Sequence, residues 1–175
     1  MKNFLVAVLM LSAISASAQN DSVSIKSVLL QQLKSTHKVQ DWFVPASNAI
    51  TGLTADQANW KDSSENHSIA QLTTHLIFWN KQLLDQFSGI KPPPFSGDNK
   101  ETFAPVTPED WKATTLTLDS VLSAWEAAIE RSEEQKLQKW YSTIANMSIH
   151  NAYHTGQIMY IRKMKGWWDD SKGVK

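Results

Sequence analysis

The sequence contains no cysteine in its 175 residues. That excludes disulfides, thiolate metal sites, a cysteine nucleophile and a lipid anchor on cysteine. Stability must come from packing instead. No glycine-rich phosphate loop, Gly-x-Ser-x-Gly elbow or His-Glu-x-x-His protease motif can be traced. A serine triad therefore has no motif behind it. Glu-x-x-His is missing too, which disfavours a di-iron carboxylate bundle. There is no excess of one charge, with 17 basic and 17 acidic residues. Without a basic surplus, nothing points to nucleic acid or to an anionic membrane surface. No apolar run reaches the ~20 residues that a spanning helix requires.

The N-terminus has its own pattern. Lys2 is followed by an apolar run from Phe4 to Ile14, then by Ala16-Ser17-Ala18 before Gln19. A short positive start, a short apolar stretch and small residues describe a secretory leader over residues 1–18. The competing reading is a membrane anchor, for which the run is too short. Cleavage there leaves one domain over residues 19–175 in the periplasm or outside the cell, with no membrane segment and one acid in excess. A chain of roughly 157 residues can bury about two thirds of its unfolded surface, enough for one core. Eight tryptophans suit a solid core or an aromatic-lined cleft.

Four segments carry helical periodicity and none of length reads as strand. The first spans about Ser24 to Ile50, with Pro45 expected to kink or end it. Gly52 to Ser64 reads as a polar connection anchored by Leu53 and Trp60. The second helix opens on Ser68-Ile69-Ala70-Gln71, a capping-box sequence, and stops at Gly89. Residues 89–107 hold Pro92-Pro93-Pro94 and little periodicity. So long a connection can carry the chain back along the bundle, making helices two and three parallel neighbours. The third helix opens on Thr107-Pro108-Glu109-Asp110. The fourth runs from Ser142 or Thr143 to Lys165, where Gly166 ends it. Asp169 to Lys175 reads as a frayed tail.

His150 and His154 lie four residues apart, which sets both rings on one helix face a turn apart. Such a pair can bind one metal ion, although a lone His-x-x-x-His is a weak signal. His75 strengthens it. This histidine sits on the apolar stripe of the second helix with Leu72, Leu76 and Trp79, where a polar ring needs a partner. The bland alternative is a core histidine satisfied by other groups. Three imidazoles with one open position describe a catalytic site, at which the metal lowers the pKa of a bound water to about 7. Gln157 falls near the same face, either to hold that water or orient a ligand, or as a plain surface amide. Trp79 is either a pocket wall or core. His37 reads as a non-ligand. His67 reads as facing solvent or packing at the helix entrance.

These stretches resemble the DinB/YfiT-like superfamily of metal-dependent helical proteins. The likeness rests on Ser68 to Leu76, on His150-Asn151-Ala152-Tyr153-His154-Thr155-Gly156-Gln157-Ile158, and on Leu53 to Trp60. It covers nearly all of residues 19–175 in order. Thr155 stands where the family often has arginine, and His67 where tryptophan is usual. The resemblance implies an up-down-down-up four-helix bundle with a long connection between helices two and three. It implies His75, His150 and His154 as ligands of one divalent metal, and relatives that include thiol-dependent transferases and isomerases.

Two functions follow as expectations. One is a metal-dependent hydrolase or transferase acting on a small molecule through the open three-histidine site. The other is a bundle that binds a metal or a partner without turnover. Imidazole suits several ions. Zinc is the expected one for an exported chain, with nickel and iron as the other candidates. Trp167-Trp168 offers a contact patch that fits a homodimer.

Overall fold

The computed structural model describes residues 23–63 and 66–174. The leader read over residues 1–18 lies outside them. The described residues form an all-α bundle of six α-helices and two short 3-10 turns, with no strand among them. Four helices are long: α1 (Ile25–His37), α4 (Ile69–Phe87), α5 (Trp111–Glu130) and α6 (Glu134–Met164). Two short ones, α2 (Ala46–Ile50) and α3 (Ala55–Asn59), fill the stretch between α1 and α4. No helix among the described residues is long and apolar enough to cross a membrane.

Several helix boundaries follow the local signals. Ser68 and Gln71 form the capping box in both directions, at 3.2 and 3.1 Å. Gly89 and Gly166 end α4 and α6 with positive φ of 78° and 67°, a conformation that costs glycine least. Thr107 accepts the Asp110 amide at 3.2 Å, and α5 begins one residue later.

Three expectations are corrected. The first helix ends at His37, not near Ile50. Val39 and Trp42 are exposed, so burial of the apolar period lapses after His37 and resumes only in α2 with Ala46, Ala49 and Ile50. Pro45 favours an extended residue before it and becomes the N-cap of α2. The last helix begins at Glu134, eight residues before Ser142. Its entrance has no capping side chain, which removed the usual start signal, yet Leu137 is fully buried. The C-terminal segment is not frayed through Val174. Residues 170–172 form a 3-10 turn, and the Gly173 carbonyl accepts Gln40 Nε2 at 2.9 Å.

The core has two apolar clusters. One gathers Leu53, Ile69, Leu72, Leu76, Trp111, Leu118, Leu122 and Ile158. The other gathers Leu29, Leu33, Phe87, Trp125, Ile129, Leu137, Ile144 and Met147. Asn80 and Asn151, both fully buried, exchange hydrogen bonds of 2.7 and 3.1 Å between α4 and α6. Trp125 Nε1 donates to the Asn80 carbonyl at 3.0 Å and ties in α5. A buried amide is costly unless paired, so this reciprocal pair favours one register of α4 against α6. His75 meets His150 near one end of the contact and Phe87 meets Trp140 near the other, so α4 and α6 run antiparallel.

Candidate metal centre

The α4–α6 register brings the three histidines together. His75 sits in the second turn of α4 between buried Leu72 and Leu76. His150 and His154 follow on α6 directly around Asn151. The Nε2 atoms of His75 and His150 are 3.0 Å apart, and those of His150 and His154 3.1 Å. Among the described residues this is the one histidine and carboxylate cluster able to hold a metal ion. His75 and His154 are buried and His150 half-buried.

The outer ring nitrogens determine what the inner ones present. His75 Nδ1 lies 2.5 Å from Thr102 Oγ1. That hydroxyl gives its own proton to the Asn99 carbonyl at 2.6 Å, so it must accept from His75. His154 Nδ1 lies 2.6 Å from Gln157 Oε1, also an acceptor. These partners assign both protons to Nδ1 and leave both Nε2 atoms as bare lone pairs facing His150. A single proton on His150 Nε2 can serve only one of them, whereas a cation satisfies all three. A tetrahedral zinc site with Zn–N of ~2.0–2.1 Å spaces its nitrogens about 3.3 Å apart, close to the separations observed here. The residues present therefore fit a divalent metal.

Electrostatics agree with neutral imidazole donors. Burial, then His154, His150 and His67, lowers the His75 pKa to about 3. Burial and then His154 lower that of His150 to about 4. Burial also lowers His154, opposed by its hydrogen bond to Gln157. The unfolded chain protonates near the ordinary value of about 6.5, and the folded chain resists. For the metal-free protein this contribution to stability is complete above about pH 6.5 and fades as pH falls toward the folded values. Metal-stripped protein should therefore melt at steadily lower temperature from pH 6.5 to 4. A flat profile over that range would contradict this assignment.

The loop between α4 and α5 completes the site. The 3-10 turn Asn99–Thr102 delivers Thr102. Phe103 follows and stacks on His75, with ring centroids 3.9 Å apart. Gln71 Nε2 donates to the Phe103 carbonyl and Thr74 Oγ1 to the Ala104 carbonyl, which pins this segment to α4. An open cleft of about 640 Å³ lies over the histidines, with Trp79 and Tyr153 among its walls. Trp79 is thus a pocket wall, its Nε1 bonded to Asn99 Oδ1 at 3.2 Å.

The remaining histidines stand apart from the cluster. His37 is buried, with its ring nitrogens 2.5 and 2.9 Å from carboxylate oxygens of Glu126 and Asp119, and serves α1–α5 packing. His67 packs at the entrance of α4, stacked on the opposite side of Phe103 at 3.7 Å. Sequence reasoning found the three clustered histidines and Gln157 but missed Thr102 and Phe103, which lie in a stretch without periodicity. The signal for Asn80 and Asn151 was there to use: amides placed among apolar neighbours on a helix need partners.

Thr102→Val and Gln157→Leu remove the acceptors that hold the rings. Each should weaken zinc affinity about 10–100-fold while leaving one equivalent bound at saturation. Competition titration against a chromophoric chelator measures this, and unchanged affinity in both variants would refute the supporting role.

A family model described as the DinB superfamily matches residues 46–158, well over half of the chain and including all three histidines. The searches of curated proteins and of solved structures found no match.

Proposed function

This chain belongs to the DinB superfamily, and we propose that His75, His150 and His154 hold one divalent cation for hydrolysis or group transfer on a small molecule. Zinc is the first candidate, before nickel and iron. The observation that carries the reading is the convergence of three Nε2 atoms, two of them with the proton held on the opposite nitrogen. A divalent cation with an open position supplies Lewis acidity toward a donor atom of the molecule in the cleft.

The protein's own groups do the rest. Thr102 and Gln157 keep His75 and His154 oriented as donors. Phe103, packed on His75, covers one side of that ring and keeps water from it. Trp79, Leu83 and Met147 give the cleft apolar surface, which favours an organic ligand over bulk water. Export to the periplasm or beyond, from the pattern over residues 1–18, belongs to the same proposal.

The cleft has no Asp, Glu or Lys among its described lining residues. That feature favours a second reading, a bundle that binds the metal without turnover, because the Tyr153 phenol and the histidines are the sole general acid or base candidates among the described lining residues. Turnover separates the two. With thiol and ester probes, a metal-dependent enzyme should lose activity on EDTA treatment and regain it with zinc. Metal-replete protein inert to every such probe would favour the binding module.

A further inference from the structure

The three-histidine cleft is surrounded by uncharged groups. Trp79, Leu83 and Met147 supply apolar wall, while Asn99, Thr143 and Asn146 supply neutral polar points. No Asp, Glu, Lys or Arg is among its described lining residues. The supporting layer is neutral as well, since His75 leans on a hydroxyl and His154 on an amide. Metal-binding histidines commonly lean on carboxylates instead.

Two consequences follow for any ligand. A divalent cation held by three neutral imidazoles keeps its full charge, because no carboxylate is among the described residues lining the cleft. A partly buried charge left uncompensated is unfavourable, so the open position selects an anionic donor. The walls then act on the rest of the ligand. A second carboxylate or an ammonium on its body would be pressed against Trp79, Leu83 and Met147 with no counter-ion to meet it.

We infer that the ligand of this cleft is a small organic monoanion: one carboxylate or thiolate head toward the cation, and an uncharged aromatic or apolar body against Trp79. Asn99, Thr143 and Asn146 offer hydrogen bonds to neutral polar groups on that body. Thiols bearing several carboxylates and an ammonium are disfavoured. The inference rests on the metal reading proposed above.

Calorimetric titration of the zinc-loaded full chain at neutral pH tests it with four probes: 3-phenylpropanoate, 2-phenylethanethiol, the dianion benzylsuccinate and the neutral 3-phenylpropanamide. At least one of the first two should bind about tenfold or more tighter than the dianion and the amide, and whichever binds identifies the head group. Trp79→Ala should weaken that probe about tenfold with zinc content unchanged. Asn146 is exposed at the rim, and Asn146→Lys should bring benzylsuccinate level with the monoanion. Equal or tighter binding of benzylsuccinate or the amide by the unmodified protein overturns the inference, as does binding of none of the four. Elemental analysis of the same samples keeps the two claims distinct. Zinc near zero sinks the metal reading itself, whereas bound zinc without a preference for monoanions sinks only the ligand class.

Discussion

His75→Ala should reduce bound zinc from about one equivalent to below about a tenth after dialysis, a larger loss than the ~10–100-fold in affinity that removing a supporting group brings. His154→Ala should do the same. Each ring contributes a bare Nε2 whose proton is held on the far side by Thr102 or Gln157. Removing either leaves two donors and a void where a preoriented third stood. The helices should persist, because α4 and α6 are still joined by the Asn80–Asn151 pair and by both apolar clusters. Metal binding to the folded chain alone also adds to stability, so zinc should raise the melting temperature of the unmodified protein and leave that of either variant nearly unchanged. Elemental analysis with circular dichroism checks both statements. If both variants keep full occupancy, the three histidines are not the ligands.

The second large effect lies outside the metal centre. Arg162→Met should destabilise the fold by about 3 kcal/mol or more and lower the melting temperature by roughly 6–12 °C. The Arg162 side chain is buried. Its Nη1 donates to the carbonyls of Asn48, Ala49 and Thr51 at 3.3, 2.7 and 3.1 Å. Its Nη2 and Nε donate to the Trp167 carbonyl at 3.0 and 3.3 Å. One guanidinium thus caps carbonyls left without a helical donor at the end of α2 and fastens the chain after Gly166 back onto the bundle. Burial pulls its pKa below the ordinary value, but a guanidinium stays charged at neutral pH. Methionine preserves much of the volume and leaves four carbonyls without that donor. Lysine offers a point charge without the planar fork and should recover only part of the loss. Thermal and urea unfolding measure it, and a cost below about 1 kcal/mol would show that water replaces the arginine at little penalty.

Arg162 also shows where local reading stops. From the sequence it is one of several basic residues near a helix C-terminus, where any cation is favourable. Lys163, its neighbour, is exposed and does fit that description. Nothing local distinguishes the two, because the carbonyls that Arg162 caps lie more than 100 residues away. His37 is a similar case. Its sequence neighbours are polar, yet it is buried against carboxylates of α5. The early start of α6 escaped detection because Glu133 makes no side-chain cap and apolar residues are sparse before Ile144.

What the sequence determined alone was whatever depends on spacing of about one helical turn. Helical class follows from the apolar period. The capping box at Ser68, the stops at Gly89 and Gly166 and the shared face of His150 and His154 each involve residues three or four apart, or a single backbone conformation. That His75 reaches the α6 pair was implied in the sequence only through the family resemblance; physically it depends on the register of α4 against α6 and on the buried Asn80–Asn151 pair. Tertiary structure alone decided that Thr102 and Phe103 belong to the site, because a loop without periodicity was tied down by Gln71 and Thr74. The physical reason is the same in both cases: hydrogen bonds between groups distant in sequence carry no periodic signature. Folding determines whether such groups meet.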